Sequence, residues 1–243
     1  TGKPENMGGI PHELGVVGFG IGITIEASLE EKAISKELPS DLSEVTIAVQ
    51  GFDNVGYTTA KYLVKKGAKV VAISDEWSTI QNDKGIDLEK CKQYSSALSE
   101  KQSLRHCKDN KRLKKEAITT VDCDILVLTS NHNLITEDNI DSLKAKCIIE
   151  GANDTITPTA DQILSQRNIP VLPDILATSG GPISSYAEYC GKKCNIAFST
   201  IETRIKEMTT NVIERAQATE IPIRRAAKEI AKERILQAME ANP

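Results

Sequence analysis

The chain has 243 residues, 40% of them hydrophobic, enough to bury the core of one large domain or of one and a half smaller ones. Its 30 lysines and arginines are matched by 34 acidic residues throughout, and the net charge of −4 excludes the basic stripe of a nucleic-acid binder. No apolar run approaches membrane-spanning length and no signal peptide opens the chain, so the expectation is a soluble, cytoplasmic protein.

Residues 1–22 are glycine-rich and begin without methionine, as a chain entered partway would. Ile23 to Lys36 is predicted as a helix closed by Pro39, with residues 40–44 linking to a first strand. That strand, Val45 to Val49, is apolar and β-branched and runs into Gly51-Phe52-Asp53-Asn54-Val55-Gly56. In a G-x-G-x-x-G turn the first glycine makes the bend, the second lets backbone approach a pyrophosphate, and the third lets helix pack close to strand. Gly51 and Gly56 keep the outer roles, and Asp53 stands at the middle one. Asn54 to Lys66 then reads as a helix with Val55, Ala60, Leu63 and Val64 largely on one side, stopped by Gly67. A second strand, Ala68 to Ser74, ends at Asp75, 24 residues after Gly51, near where an acid holds an adenosine ribose hydroxyl. An aspartate before Glu76 and Trp77 also suits a plain turn; the strand-turn-helix-strand unit around it favours the ribose role.

Ser78 to Ile86 has the turn chemistry of a short hairpin, and Asp87 is placed to cap the next helix. Glu100 to Lys115 is strongly charged and reads as a solvated helix or loop. Asp124 to Leu128, Cys147 to Ile149 and Pro170 to Leu172 are apolar strands, and Thr157-Pro158 begins a helix running to about Gln166. Strands alternating with helices predict the α/β class: a doubly wound, mostly parallel Rossmann-like sheet with ligand at the carboxyl ends of its strands. Thr200 to Ala218 and Pro222 to Met239 follow as amphipathic helices, with Ile201, Ile205, Met208, Val212 and Ile213 inward on the first. On the second the inward set is Ile223, Ala227, Ile230, Ala231, Ile235 and Met239. Residues 1–195 are therefore read as the Rossmann domain and 196–243 as a helical segment packing back on it. Of six scattered cysteines most are expected to be reduced and structural. Cys190-x3-Cys194 and His106-Cys107 lack paired C-x-x-C spacing, so no metal ligand is assigned.

Several phrases occur together, in one order and spacing: Thr1-Gly2-Lys3-Pro4, the Gly51 turn, and Glu150-Gly151-Ala152-Asn153 with Thr157-Pro158 and Ala160-Asp161. Pro173-Asp174-Ile175-Leu176, Gly180-Gly181, Ser185-Tyr186 with Glu188, and Arg224 with Ala226-Ala227 complete the set. Over nearly the whole chain this resembles the glutamate dehydrogenase family, in particular its cofactor-binding domain. Leucine and phenylalanine dehydrogenases have a similar cofactor domain, but the Glu-Gly-Ala-Asn and Ser-Tyr-x-Glu phrases look more like the glutamate enzyme.

The resemblance implies an oxidoreductase of amino-acid metabolism that converts L-glutamate, NAD(P) and water to 2-oxoglutarate, ammonia and NAD(P)H, with a homo-hexameric full-length form. It implies cofactor contacts from Gly51, Phe52, Asp53, Asn54, Val55, Gly56, Asp75, Thr129, Asn153 and Thr178, and a substrate-carboxylate contact from Ser185. Asn54 also suits a helix N-terminus, Asn153 a loop cap and Ser185 a helix surface. The family's catalytic lysines and proton-shuttling aspartate lie in a domain preceding the Thr-Gly-Lys-Pro phrase, so no catalytic residue carries over and the chain alone is expected to be inactive. Asp75 slightly favours NAD by repelling a 2′-phosphate, but related enzymes of both preferences can end this strand with an acid, and NADP stays open. Four departures cluster at the cofactor: Val17 for threonine, Asp53 for glycine, Leu128-Thr129-Ser130 for proline-alanine-alanine, and Thr178 for asparagine. They raise the alternative of an inactive relative with weakened cofactor binding, acting as a partner or regulatory subunit.

Overall fold

The computed structural model describes residues 1–31, 34, 38–94, 103–130 and 132–241. Its centre is a seven-stranded sheet of β1 (Thr46–Gln50), β2 (Lys69–Ser74), β3 (Thr79–Gln81), β4 (Lys111–Leu113), β5 (Ile125–Leu128), β6 (Cys147–Glu150) and β7 (Val171–Leu172). The spatial order is β4-β3-β2-β1-β5-β6-β7. Neighbours from β2 through β7 pair in parallel, while β3 and β4 extend the β2 edge in antiparallel fashion. This is the expected doubly wound, mostly parallel α/β sheet. β5 and β6 are buried at every residue, which is why they read as unbroken apolar runs rather than alternating ones.

Helices cover both faces. On one face Ile47, Val49, Ile125, Val127 and Ile149 pack against α1 (Val16–Glu30), α2 (Asn54–Lys65) and α7 (Cys194–Thr219). On the other, Ala48, Leu126, Leu128 and Ile148 meet Ile118, Ile135, Ile140 and α4 (Pro158–Gln166). The remaining helices are α3 (Leu88–Lys92), α5 (Asp174–Ala177), α6 (Gly180–Tyr189) and α8 (Ile223–Ala241). Caps fall where the polar residues predicted them: Asp87 accepts the Lys90 N–H, and Thr157 accepts the Ala160 N–H. At the amino ends of the strands the Asp124 carboxylate accepts both the N–H and the hydroxyl of Thr46 and pairs with Lys146 at 2.8 Å, stitching β1, β5 and β6 together.

Three expectations are corrected. The first helix starts at Val16 and ends at Glu30, not at Ile23 and Lys36; residues 32, 33 and 35–37 lie outside the described residues. Gly18, Gly20 and Gly22 are helical because α1 lies against α2. A Cβ on Gly18 would sit 2.2 Å from Thr58 Oγ1 and 2.9 Å from the Val55 carbonyl, and one on Gly22 would sit 2.2 Å from the Tyr62 ring. The charged stretch ending at Lys115 contains the edge strand β4 and a fully buried Leu104; its residues 100–102 are outside the described set. An edge strand tolerates exposed Lys111 and Arg112, so charge did not betray it. Third, Ile235 and Met239 are 60% and 64% exposed, because the last turns of α8 run beyond the body that buries Ala226 and Ala227.

The first C-terminal helix keeps its predicted inward set, with Ile201, Ile205, Val212 and Ile213 buried. It starts at Cys194, so the change of character placed at residue 196 lies in its first turn. Four cysteines are free, whereas Cys91 and Cys107 form a disulfide with Cα atoms 5.4 Å apart. Their separation of 16 residues in a charged segment gave no sign of this, since the pairing depends on α3 and the turn at 104–106 meeting in the core.

Gly18→Ala separates propensity from packing. In a free helix alanine would add about 1 kcal/mol of stability; against the α2 backbone it should instead remove about 1–3 kcal/mol. Urea denaturation of the two proteins gives the sign.

Candidate functional site

The Gly51 turn, Asp75, Thr129 and Asn153 lie at the carboxyl edge of the parallel strands, and Ser185 does not. Gly51 follows β1, Thr129 follows β5, Gly151 follows β6 and Asp75 follows β2, and these four strands are consecutive in the sheet. Gly51 has φ +90°, a left-handed conformation that strains any side chain, and a Cβ there would lie 2.6 Å from Thr129 Oγ1. A Cβ on Gly56 would lie 1.8 Å from the Gly51 carbonyl oxygen, so α2 can meet β1 this closely only with glycine. Thr129 closes the mouth from the other side by donating its hydroxyl to the carbonyls of Gln50 and Gly51 at 2.8 and 3.1 Å.

Within the turn the side chains go different ways. Phe52 is 2% exposed and packs edge-on against Tyr57, so it contributes to the site through backbone alone. Val55 is packed against the same core. Asn54 donates to the His12 carbonyl at 2.9 Å, tying the turn to the N-terminal segment. Asp53 caps α2: its Oδ1 accepts the N–H groups of Val55 and Gly56 at 3.0 and 3.2 Å. A phosphate at a G-x-G-x-x-G turn would use this helix terminus. The outer glycines thus fit a dinucleotide, whereas the middle position holds a carboxylate where the anion would lie.

Asp75 also serves its own turn. Oδ1 accepts the N–H groups of Trp77 and Ser78 at 2.9 and 2.8 Å, and Oδ2 accepts the Leu104 N–H at 2.6 Å. Asn153 is exposed in the turn after β6, and Thr178 ends α5 with its hydroxyl on the Asp174 carbonyl at 2.8 Å. Ser185 is half-buried on α6, which packs on α1 and α7 rather than on the sheet, so it stands apart from the strand-edge cluster. Val17 is half-buried, 3.4 Å from the position of a Cβ on Gly181.

Gln50 escaped the sequence analysis, and Ser130, Glu150, Arg224 and Glu188 entered it only as members of phrases, without a structural role. Gln50 and Ser130 form a two-point bridge across β1 and β5: Gln50 Nε2 donates to Ser130 Oγ at 2.9 Å, and the Ser130 N–H donates to Gln50 Oε1 at 3.1 Å. A polar residue ending an apolar strand was the available signal for Gln50. Glu150 is fully buried and pairs with Arg224 at 2.7 Å, and Arg224 also pairs with Asp161 at 2.9 Å and Asp174 at 3.8 Å. Burial pushes the Glu150 carboxyl above its ordinary range, and the opposing Arg224 charge, divided among three acids, does not bring it back. Glu188 on α6 accepts the N–H groups of Ile10 and Gly2 at 2.8 and 2.9 Å, which anchors the N-terminal segment. The Ile10 N–H foremost, and the Gly2 N–H with it, hold Glu188 below its ordinary range.

A protein-family model of the glutamate/leucine/phenylalanine/valine dehydrogenases matches residues 8–242. The chain belongs to this family. Among its relatives, the NADP-specific glutamate dehydrogenase of Saccharolobus shibatae is 34% identical over 99% of this chain and 57% of its own length. The glutamate dehydrogenase of Aeropyrum pernix is 35% identical over 98% of the chain and 57% of its own length. The hetero-hexameric glutamate dehydrogenase of Thermus thermophilus superposes on the whole chain with TM-score 0.86 at 25% identity, over 57% of its own length. The chain therefore spans a little over half the length of these relatives. A relative named NADP-specific lends no support to the preference for NAD read from Asp75. Among the described residues no helix is long and apolar enough to cross a membrane.

Arg224→Ala leaves three carboxylates facing one another and should lower stability by about 3–5 kcal/mol near neutral pH. Glu150 binds its proton more tightly folded than unfolded, so the deficit should narrow as pH falls through its folded value towards its unfolded one. Denaturant titrations of both proteins across that range test the sign. Glu188 behaves oppositely: its contribution is present above its ordinary carboxylate range and is lost as pH falls through the lower folded value. Hydrogen exchange at the Gly2 and Ile10 amides should accelerate over that interval, and Glu188→Gln should remove the pH dependence.

Proposed function

We propose that this chain is the dinucleotide-side domain of a glutamate dehydrogenase, in which bound NAD or NADP accepts hydride from L-glutamate as 2-oxoglutarate and ammonia form. The observation that carries this reading is the Gly51 turn, wedged against Gly56 and closed by Thr129 at the mouth of a parallel sheet. Doubly wound sheets bind ligands at such a mouth, and the family match supports the reaction class. Both dinucleotides are kept, because Asp75 already accepts three backbone N–H groups and its charge is not a free probe of a 2′-phosphate.

Gly51, Phe52, Asn54, Val55, Gly56, Thr129, Asn153 and Thr178 would line the dinucleotide through backbone and short polar side chains. Ser185 would hold the distal carboxylate of the substrate from α6. The lysines and the proton-carrying aspartate implied by the resemblance would come from a preceding domain, so these residues alone would bind without turnover. A cytoplasmic oligomer, six subunits by resemblance, goes with this reading. The alternative of a partner or regulatory subunit is favoured by one observation, the capping of α2 by Asp53.

The intact protein should reduce NAD or NADP in the presence of L-glutamate. Ser185→Ala should raise the KM for glutamate about tenfold to a hundredfold, the value of a hydrogen bond to a charged group, without changing the dinucleotide Kd. Absence of glutamate-dependent reduction with either dinucleotide would refute the catalytic reading and leave the partner subunit.

A further inference from the structure

We propose that Asp53 is a resident anion that occupies the diphosphate position of this domain, so that a dinucleotide binds only by displacing it. The inference rests on the dinucleotide-domain reading and states how that site is regulated within the chain itself. It starts from the fixed backbone. Gly51 sets the turn and Gly56 wedges α2 against β1, which leaves the first-turn N–H groups of the helix as the donors for a phosphate. Asp53 Oδ1 accepts two of them, from Val55 and Gly56. The positive end of the helix dipole already faces a full negative charge.

The flanking positions are closed by the chain's own groups as well. Gln50 and Ser130 satisfy each other across the mouth between β1 and β5, where the departures from the family phrase lie. Asp75 turns both carboxylate oxygens to backbone donors, one of them from the turn that follows Ser103. An arriving diphosphate therefore meets satisfied donors and a like charge. Two like charges about 4 Å apart weaken binding by roughly tenfold to a thousandfold, between bulk-water and protein-surface screening. Asparagine has nearly the same shape and caps a helix equally well without the charge, and glycine removes the side chain with little loss of capping.

The experiment is titration of the purified protein, Asp53→Asn and Asp53→Gly with NAD and with NADP by calorimetry, with ligand-induced shifts in melting temperature as the second readout. Inorganic pyrophosphate serves as a probe of the phosphate position alone. The expected order is weakest binding by the natural protein, intermediate by the asparagine variant, and tightest by the glycine variant, with at least a tenfold gain. Pyrophosphate should raise the melting temperature of the glycine variant more than that of the natural protein. Equal affinity of the natural and glycine proteins overturns the inference and leaves the dinucleotide reading standing. No binding by either overturns both, because removing Asp53 should have opened the site. An asparagine variant no tighter than the natural protein overturns the charge argument.

Discussion

The guanidinium of Arg224 reaches carboxylates on three other elements: Glu150 at the end of β6, Asp161 in α4 and Asp174 at the start of α5. Only a planar group with several donors in a fixed fork can serve all three at once, which a lysine ammonium could not do with the same geometry. Glu150 is further held by the Thr155 hydroxyl and the Asp174 N–H, so no buried oxygen of that carboxylate is left to solvent. The loops that carry Asn153 and lead to Thr178 are thereby fixed from behind. The position of α8 follows from the same contact, since its first turns are where Ala226 and Ala227 enter the core and its last turns leave it. A charge cluster this deep is weak evidence of stability, but it specifies one arrangement of four elements because every alternative strands a buried charge.

At the other side of the strand edge a different economy operates. The amino terminus of α2 needs acceptors for its free N–H groups, and there are two ways to supply them: an internal carboxylate or an external anion. Asp53 is the internal solution, and a capping side chain of this kind is worth about 1 kcal/mol to the helix. Under the proposed reading, stability and ligand affinity would compete for the same two donors, the usual form of a trade-off at a functional site. Next door, Gln50 and Ser130 likewise satisfy each other in an intramolecular pair.

Much of the fold was legible because the informative signals are local. Asn54 to Lys65 is helical with Ala60 and Leu63 of the predicted face buried and Val55 packed at its edge, although Val64 is exposed, and Asp87 and Thr157 cap the helices they precede. What escaped depended on partners distant in sequence. Gly18 and Gly22 carry no helix signal of their own until α2 is placed beside them, and then they are the residues that let two helices touch. Lys111 to Leu113 has no apolar alternation, because an edge strand can expose both faces. Asp53 shows the limit from the other side: its position in the turn is legible in the sequence, but only the geometry puts its oxygen on the Val55 and Gly56 amides. The Cys91 and Cys107 disulfide is a pure consequence of tertiary contact.

Helix α6 links the two halves of this argument. Ser185 and Glu188 are three residues apart and so project from neighbouring positions on one side of the helix. Glu188 grips the Gly2 and Ile10 amides, and Asn54 in the Gly51 turn grips the His12 carbonyl of the same segment. The N-terminal stretch is therefore held at one end by the helix that carries the proposed substrate serine, and at the other by the turn that would carry the dinucleotide. Helix α1 already joins α6 to α2 by packing on both, and residues 1–15 add a second, hydrogen-bonded tie between the same two helices on the side of the Gly51 turn.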